Sequence, residues 1–168
     1  YNNSGVYTLY NTSTNTGNPN SETTTIAPCG DESFSNIPAS SDSYLTRNWT
    51  GDNGGTWSAT NAKTNQTITG KAITIRGPGV LTSPITTGGI KDLSFKTKFP
   101  YSESSGLLDI KVNGASVGTV SYAEMNGDTP ITKTISNINI EGDVIVTITA
   151  ITARFTIDDL VWTCYNDN

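Results

Sequence analysis

Short runs in which apolar and polar residues alternate recur from Cys29 almost to the end of the chain, with turn residues between them. In the stretch DLSFKTKF, Leu93 and Phe95 fall on one side of an extended chain, while Lys96 and Lys98 fall on the other. A period of two is the mark of a strand, and no helical period of 3.6 persists in this sequence. Many short strands with closely spaced turns predict an all-β fold, a two-sheet antiparallel β-sandwich or jelly roll.

The alternation predicts the strands one by one, and the turns between them have recognisable chemistry. Asn113 and Gly114 form a two-residue hairpin signal, because both tolerate the positive φ that such a turn needs. The predicted strands are 43–49, 56–59, 72–76, 80–81, 93–99, 107–112, 115–121, 132–138, 143–149 and 153–162.

The first 28 residues differ from the rest, which divides the chain into an N-terminal arm (1–28) and a sandwich domain (29–168). The arm is rich in Asn, Thr and Ser and could not bury enough apolar surface to order itself. It either folds back on its own domain or adds a strand to a neighbouring copy of the chain. The residues expected to form that donated strand are Val6, Tyr7, Leu9 and Tyr10.

Composition and charge limit the classes of partner that the protein can bind. Only 15% of residues are charged, and the net charge is −5, which argues against nucleic acid because phosphate binding needs an excess of Lys and Arg. No apolar run approaches the length that crosses a membrane. The polar, weakly charged composition and a chain that begins at Tyr1 rather than Met are expected of a product of an exported protein. We therefore expect a secreted or cell-surface location.

The chain contains two cysteines, Cys29 and Cys164, and no histidine. In an exported protein this pair predicts one disulfide, which would join the first core strand to the last. A loop of well over 100 residues closed in this way gains about 5 kcal/mol in chain-entropy models. The alternative is two free, buried thiols.

Two adjacent carboxylates, Asp158 and Asp159, lie inside the apolar stretch RFTIDDLVWTC. Alternation places one of them, Asp159, on the side of Phe155 and Ile157, and a buried carboxylate must be neutralised, hydrogen-bonded or bound to a metal. With Glu32 brought near by the disulfide, the acids predict a structural Ca²⁺ site, since calcium takes oxygen ligands. The alternative is that one aspartate caps a loop through backbone amides while the other is solvated.

Aromatic and basic residues supply the candidate ligand-binding surface. Aromatic rings beside polar groups suit sugars, which present an apolar C–H face and hydroxyls, and arginine pairs with sulfate or carboxylate groups. Each tryptophan can instead pack in the core, and exposed strand lysines can merely block edge pairing. Tyr101 and Tyr122 are further candidates. The predicted ligand-binding residues are Tyr44, Arg47, Trp57, Arg76, Lys98 and Arg154.

Catalysis has little support in the sequence. There is no His and no Gly-x-Ser-x-Gly nucleophile motif, which leaves paired carboxylates as in glycoside hydrolysis. Asp158 and Asp159 are neighbours on one strand and diverge, so they cannot flank one substrate bond. We expect a protein that is not an enzyme.

Several separated motifs, in order, carry a resemblance. The segments FSNIPASSDSYLTRNWTGDNGGTWSAT, LTSPITTGGIKDLSFKTKF and FTIDDLVWTC resemble an accessory β-sandwich domain of secreted Bacteroidetes proteins, often attached to polysaccharide-degrading enzymes or nucleases. Glu32 with Phe34, and the ending at 157–159, are also similar to jelly-roll carbohydrate-binding modules that hold a structural calcium. The resemblance implies an extracellular module that binds polysaccharide, neutral or anionic. The alternative is a filament or adhesin subunit that assembles through the arm.

Overall fold

A computed structural model describes residues 28–166, and its regular secondary structure consists almost entirely of antiparallel strands. A single-turn 3₁₀ helix, Tyr122–Glu124, is the one helical element in this range. The strands are β1 (Gly30–Glu32), β2 (Leu45–Thr50), β3 (Thr56–Thr67), β4 (Lys71–Arg76), β5 (Val80–Thr82), β6 (Leu93–Lys98), β7 (Leu107–Val112), β8 (Ala115–Ser121), β9 (Ile131–Ile135), β10 (Val146–Thr152) and β11 (Arg154–Trp162). The all-β sandwich or jelly-roll prediction is confirmed.

Hydrogen bonding runs through the strands in the order β8-β7-β10-β5-β3-β4-β11-β6-β9, with β2 added to β3 and β1 to β11. β3 connects the two halves of the sandwich. Its start pairs with β5 at Ser58 and Ala59, and from Ala62 onward it pairs with β4. A left-handed residue, Asn61, separates these two parts, and it marks the point where β3 turns from one half to the other.

The core lies between the two halves, and the predicted alternation selects most of its residues. Val146 and Ile148 of β10 and Phe155 and Ile157 of β11 are buried in one hydrophobic cluster. Burial of an aliphatic or aromatic side chain of this size contributes about 1.5 to 3 kcal/mol, so the alternating runs account for the cohesion of the two halves.

The disulfide prediction is confirmed: Cys29 and Cys164 are bonded across a sequence separation of 135 residues. β1 is held beside the end of β11 by the register Gly30 to Trp162 and Glu32 to Leu160. The backbone of Gly88 passes close to this bond: a Cβ atom at that position would lie 2.8 Å from the Sγ of Cys29. The two ends of the domain are therefore joined by both sulfur and backbone hydrogen bonds.

The last strand departs from simple alternation at its two aspartates. Asp159 has a φ of 49°, and the pairing of β11 with β6 shifts register between Asp158 and Val161. This bulge moves Leu160 and Trp162 into the core and leaves Asp159 at the surface. One of the two aspartates is buried, as expected, but it is Asp158. The alternation that grouped Asp159 with Phe155 and Ile157 does not hold, because an extra residue in a bulge reverses the faces beyond it.

The arm prediction falls outside the described residues. Val6, Tyr7, Leu9 and Tyr10 all belong to residues 1–27, so strand donation stays a prediction. Within residues 28–166, no helix is long and apolar enough to span a membrane.

Candidate functional site

A row of polar side chains crosses the outer face of β3, β4, β11 and β6. Lys63 is the register partner of Thr74, Thr74 of Thr156, and Thr156 of Lys98. The two threonine hydroxyls are hydrogen-bonded to each other at 2.8 Å. Their strand neighbours Ile73 and Ile157 point the other way, into the core. The row therefore belongs to the side of the sheet that faces away from the hydrophobic core.

Two arginines stand beside this row, each against a tyrosine. Arg76 and Arg154 are direct cross-strand partners on β4 and β11. The guanidinium carbon of Arg76 lies 4.1 Å from the ring centroid of Tyr44, and that of Arg154 lies 4.7 Å from the centroid of Tyr101. Both distances are typical of cation–π contacts. We name these four residues, together with Lys63, the cationic face.

Lys63 anchors the cationic face from beneath. The residue is only 1% exposed, and its ammonium donates a short hydrogen bond to the hydroxyl of Tyr101. The same nitrogen lies 4.4 Å from the centroid of the Tyr101 ring and 5.4 Å from that of Tyr44. A buried ammonium is costly unless it is paired, and here two aromatic rings and a phenol take that role.

Polar groups on the cationic face are only partly satisfied. Glu103 accepts a hydrogen bond from Nε of Arg154 at 2.5 Å, and this bond raises the pKa of the guanidinium. Burial raises the pKa of Tyr44, whose buried hydroxyl has no hydrogen-bond partner among the described residues. A buried hydroxyl without a partner costs stability.

Three of the predicted ligand-binding residues, Tyr44, Arg76 and Arg154, meet on the cationic face. Lys98 lies on the same side of the sheet, at the other end of the polar row. Arg47 does not join them: its guanidinium donates to the oxygen atoms of Ser43, Ala62 and the side chain of Ser41 and thereby fixes a loop.

The prediction that Trp57 binds a ligand needs correction, because the residue is only 2% exposed. Its ring stacks on Trp49 with centroids 6.3 Å apart and also contacts Phe34 and Trp162. Trp49 and Trp57, which flank the Gly-rich segment GDNGG at 51–55, therefore belong to the core, which is the packing alternative given for each tryptophan.

Alternation and motifs did not select Lys63 or Glu103, and Tyr101 was only a secondary candidate. Lys63 belongs to the polar half of β3, a segment that alternation did not identify as a strand. Its register opposite Thr74 places it on the outer face, but that register depends on the irregularity at Asn61. A lysine in an otherwise uncharged strand was the only available signal.

The three predicted calcium ligands do not come together. Asp158 is 1% exposed and serves as a cap: one oxygen accepts the backbone amides of Thr69 and Gly70 at 2.9 and 3.3 Å, and the other accepts the amide of Asp159. Burial raises the pKa of Asp158. Asp158 is therefore held by the turn between β3 and β4, as in the loop-capping alternative.

Asp159 and Glu32 have different surroundings. Burial alone would raise the pKa of Asp159, but hydrogen bonds from Lys96, at 2.8 Å, and from Thr69 outweigh it and lower the pKa. Glu32 is buried, accepts the amides of Phe34 and Asp52, and has its pKa raised by burial and by the charge of Asp52.

Glu32, Asp52 and Asp159 all line a cavity of about 210 Å³ beside β1. Within residues 28–166, however, no three acidic side chains are arranged as a metal-binding group. Carboxylate oxygens are ligands that a hard cation such as calcium prefers, but Asp158 does not line this cavity.

Neither a protein-family model nor a curated protein matches this chain. Solved structures do resemble it. One is an arabinoxylan arabinofuranohydrolase of glycoside hydrolase family 43 from Bacillus subtilis, in complex with cellotetraose, with a TM-score of 0.51 and 15% identity over 64% of this chain and 25% of the other. Another is a GH115 4-O-methyl-alpha-glucuronidase with specificity for decorated arabinogalactans, with a TM-score of 0.50 and 14% identity over 63% of this chain and 16% of the other.

A third structure is the carbohydrate-binding module CBM36 in complex with calcium and xylotriose, with a TM-score of 0.49 and 16% identity. The alignment covers 62% of this chain and 89% of that module. By contrast, this chain spans about a quarter of the arabinofuranohydrolase and about a sixth of the glucuronidase. At these identities the similarities show the fold.

Proposed function

We propose that this protein is a non-catalytic extracellular module that binds anionic polysaccharide, carboxylated or sulfated, on the cationic face. The disulfide is consistent with an oxidising compartment outside the cytosol. The similar folds named above include an enzyme captured with a cello-oligosaccharide and one specific for decorated arabinogalactans, which agrees with a saccharide ligand.

The observation that carries the proposal is the direct opposition of Arg76 and Arg154 on neighbouring strands. Like charges placed directly opposite each other destabilise a sheet, and Lys63 adds a third cation close by. The carboxylate of Glu103 engages only Nε of Arg154. An anionic group bound between the guanidinium groups would relieve this repulsion, because arginine donates paired hydrogen bonds to carboxylate and sulfate.

The tyrosines supply the second half of the recognition. Tyr101 is 42% exposed, and Tyr44 is fixed beside Arg76. An aromatic ring offers an apolar surface to the C–H face of a sugar, while the neighbouring guanidinium holds its charged substituent. One open face buries little ligand area, so we expect modest affinity for short oligosaccharides and stronger apparent binding to long chains.

The acidic residues near the two chain ends have structural partners that explain their presence. Asp158 is occupied by three backbone amides, and Asp159 by Lys96 and Thr69. Asp159 shares a cavity with Glu32 and Asp52, but Lys96 and Thr69 occupy its carboxylate and backbone amides occupy that of Glu32. Glycoside hydrolysis requires two carboxylates that are free to act on one bond. This supports a binding role rather than a catalytic one.

A structural calcium stays part of the proposal, with Asp158 removed from its ligands. Glu32 and Asp52 would be its carboxylate ligands, because the buried charge of Glu32 lies close to that of Asp52 and a cation would neutralise both. Saturating calcium should raise the melting temperature relative to a chelated sample, and Asp52→Asn should abolish the rise. An identical melting temperature with and without calcium would remove the ion from the account.

Affinity electrophoresis of the full chain against polysaccharides tests the proposal. We expect retardation by polygalacturonate or a sulfated galactan, reduced about tenfold or more in affinity by Arg76→Ala and by Arg154→Ala. Arg154→Lys keeps the charge but loses the planar fork, and it should bind more weakly than the wild type.

The matched control is Lys111→Ala, which removes one positive charge from the outward side of β7 on the other half of the sandwich. It should bind like the wild type. If no anionic polysaccharide is retained, or if Lys111→Ala weakens binding as much as Arg154→Ala, the proposal fails.

A further inference from the structure

A second recess adjoins the cationic face and differs from it in charge. It has a volume of about 760 Å³, within the range of ligand-binding clefts, and lies between the segment 99–103 and the segment 122–128. Tyr101, which belongs to the cationic face, also lines this recess, and so does Glu103, which is hydrogen-bonded to Arg154. We name it the acidic cleft. The two surfaces are therefore continuous.

The walls of the acidic cleft are fixed by hydrogen bonds. The amide of Phe99 donates to the carbonyl of Gly127 at 2.9 Å, and the amide of Tyr122 donates to Gly106 at 2.8 Å. Glu124 secures the 3₁₀ turn by accepting from the backbone and hydroxyl of Ser121, and it forms a 2.7 Å ion pair with Lys133. A site whose walls are held in this way needs little reordering on binding.

An aromatic ring is presented at the cleft. Tyr122 stacks on Phe99, with centroids 5.7 Å apart and planes inclined by 26°. The residue is nevertheless 46% exposed. A tyrosine supported on one side and open elsewhere offers a rigid surface for the apolar face of a sugar ring.

Charge distinguishes the acidic cleft from its neighbour. The described residues that line it include Glu103, whose charge is paired with Arg154, and Asp128, but no Lys or Arg, so Asp128 gives the cleft its net negative charge. Carboxylates accept hydrogen bonds from hydroxyl groups and repel anions. The cleft therefore suits a neutral, hydroxyl-rich ring and disfavours a uronate or a sulfated sugar.

We propose that the acidic cleft binds a neutral sugar unit adjacent to the anionic unit held on the cationic face. This inference rests on the proposed function and narrows its ligand class. The preferred ligand is a mixed polysaccharide in which charged and neutral units are neighbours, rather than a polymer in which every unit is charged.

Titration calorimetry of the full chain with oligosaccharides of equal length tests the inference. The mixed probes are hyaluronan and glucuronoxylan fragments, the fully charged probe is oligogalacturonate, and the neutral probe is a cello-oligosaccharide. We expect at least one mixed probe to bind about tenfold more tightly than the other two classes. Tyr122→Ala should weaken the mixed probe about tenfold, whereas Tyr122→Phe should retain its affinity.

Asp128→Asn should change the affinities for the mixed and the fully charged probes in opposite directions. It should weaken the mixed probe a few-fold by removing a hydroxyl acceptor, and it should strengthen oligogalacturonate by removing a repulsive charge. Asp143→Asn makes the same charge change on an exposed turn elsewhere and should alter neither affinity.

The outcomes separate the two proposals. If no probe binds, the proposed function fails and this inference fails with it. If oligogalacturonate binds through Arg76 and Arg154 at least as tightly as every mixed probe, or if Tyr122→Ala leaves the mixed probe unchanged, the proposed function stands and the acidic cleft has no part in it. Binding of the cello-oligosaccharide as tightly as the mixed probes also overturns the inference, because no charged neighbour would then be needed.

Discussion

Strand β11 carries two charged residues with opposite surroundings: Asp158, which caps the turn between β3 and β4, and Arg154, which belongs to the cationic face. At Asp158, three backbone amides surround one buried carboxylate. At the cationic face, four residues away, Arg154 stands opposite Arg76, and each guanidinium donates to one side chain, that of Glu103 from Arg154 and that of Asn61 from Arg76. The carboxylate of Asp158 is fully used by the fold, while the two guanidinium groups have further N–H donors to offer.

This difference indicates which residues maintain the structure and which serve binding. A charge saturated by backbone donors stabilises a turn and offers nothing to a ligand. Opposed like charges cost stability and persist where something else is gained from them, which is a common property of functional sites. The two regions should therefore respond in opposite ways to substitution: one in stability, the other in affinity.

The largest effect is expected from removing the disulfide, which stabilises the fold and contacts neither arginine. Replacing both Cys29 and Cys164 by Ser releases a loop of 135 residues. Chain-entropy models give a loss of about 5 kcal/mol, within a usual range of about 2 to 5. Urea unfolding of the double variant and of the wild type measures this loss of stability, and reduction of the wild type should reproduce it. A loss below about 1 kcal/mol would show that β1 is held to β11 mainly by other contacts.

The next effect concerns the capped turn itself. Asp158→Ala leaves the amides of Thr69 and Gly70 without their acceptor and should lower the free energy of unfolding by about 2 to 3 kcal/mol. Polysaccharide affinity of the folded variant should not change. The exposed Asp143→Ala is the control and should cost less than about 0.5 kcal/mol. Equal losses in the two variants would mean that the cap contributes nothing.

The cationic face should give the reverse pattern. Arg76→Ala relieves the opposition of like charges but loses the contact with Tyr44 and a 3.2 Å hydrogen bond to Asn61, so the free energy of unfolding should fall by about 1 kcal/mol at most. Polysaccharide affinity should fall about tenfold. Thermal unfolding and affinity electrophoresis of the same sample measure both quantities. A marked loss of stability with unchanged affinity would place Arg76 with the structural charges.

The smallest expected effect is the pH-dependent contribution of Asp159 to stability. The pKa of Asp159 is lowered, so its contribution is present at neutral pH and is lost as pH falls below its ordinary value of 3.8. Asp159→Asn should cost about 0.5 kcal/mol at pH 7 and less at about pH 2. Urea unfolding at the two pH values checks this. A cost that is equally large in acid would show that the carboxylate charge is not what matters.

Much of the fold could be predicted from alternation, and the failures have local causes. β7 and β8 have the bounds that the sequence predicted, because the Asn113-Gly114 turn fixes their register. The second half of β3 was missed because its residues are mostly polar and its pairing restarts after the left-handed Asn61. β1 was missed because three residues, two of them acidic, carry no strand pattern.

The candidate site was less predictable, since it depends on which strands become neighbours. Arg76 and Arg154 could be assigned to outward positions from the sequence, but their direct pairing follows from the register between β4 and β11. Trp57 looked like a binding residue because it borders a Gly-rich loop, and only the packing with Trp49 shows that it is core. The bulge that reverses Asp159 left no periodic signal in the sequence.

The most direct test measures the free energy of unfolding and polysaccharide affinity together for two variants, Asp158→Ala on β11 and Arg76→Ala on β4. Arg76 is chosen over Arg154 because loss of Arg154 would leave the largely buried carboxylate of Glu103 without its cation. Asp158→Ala should lose about 2 to 3 kcal/mol of stability and bind like the wild type once folded, whereas Arg76→Ala should lose about 1 kcal/mol at most and about tenfold in affinity for anionic polysaccharide. If Arg76→Ala binds as tightly as the wild type, or if both variants lose stability and affinity together, the division between structural and ligand-binding charges is wrong.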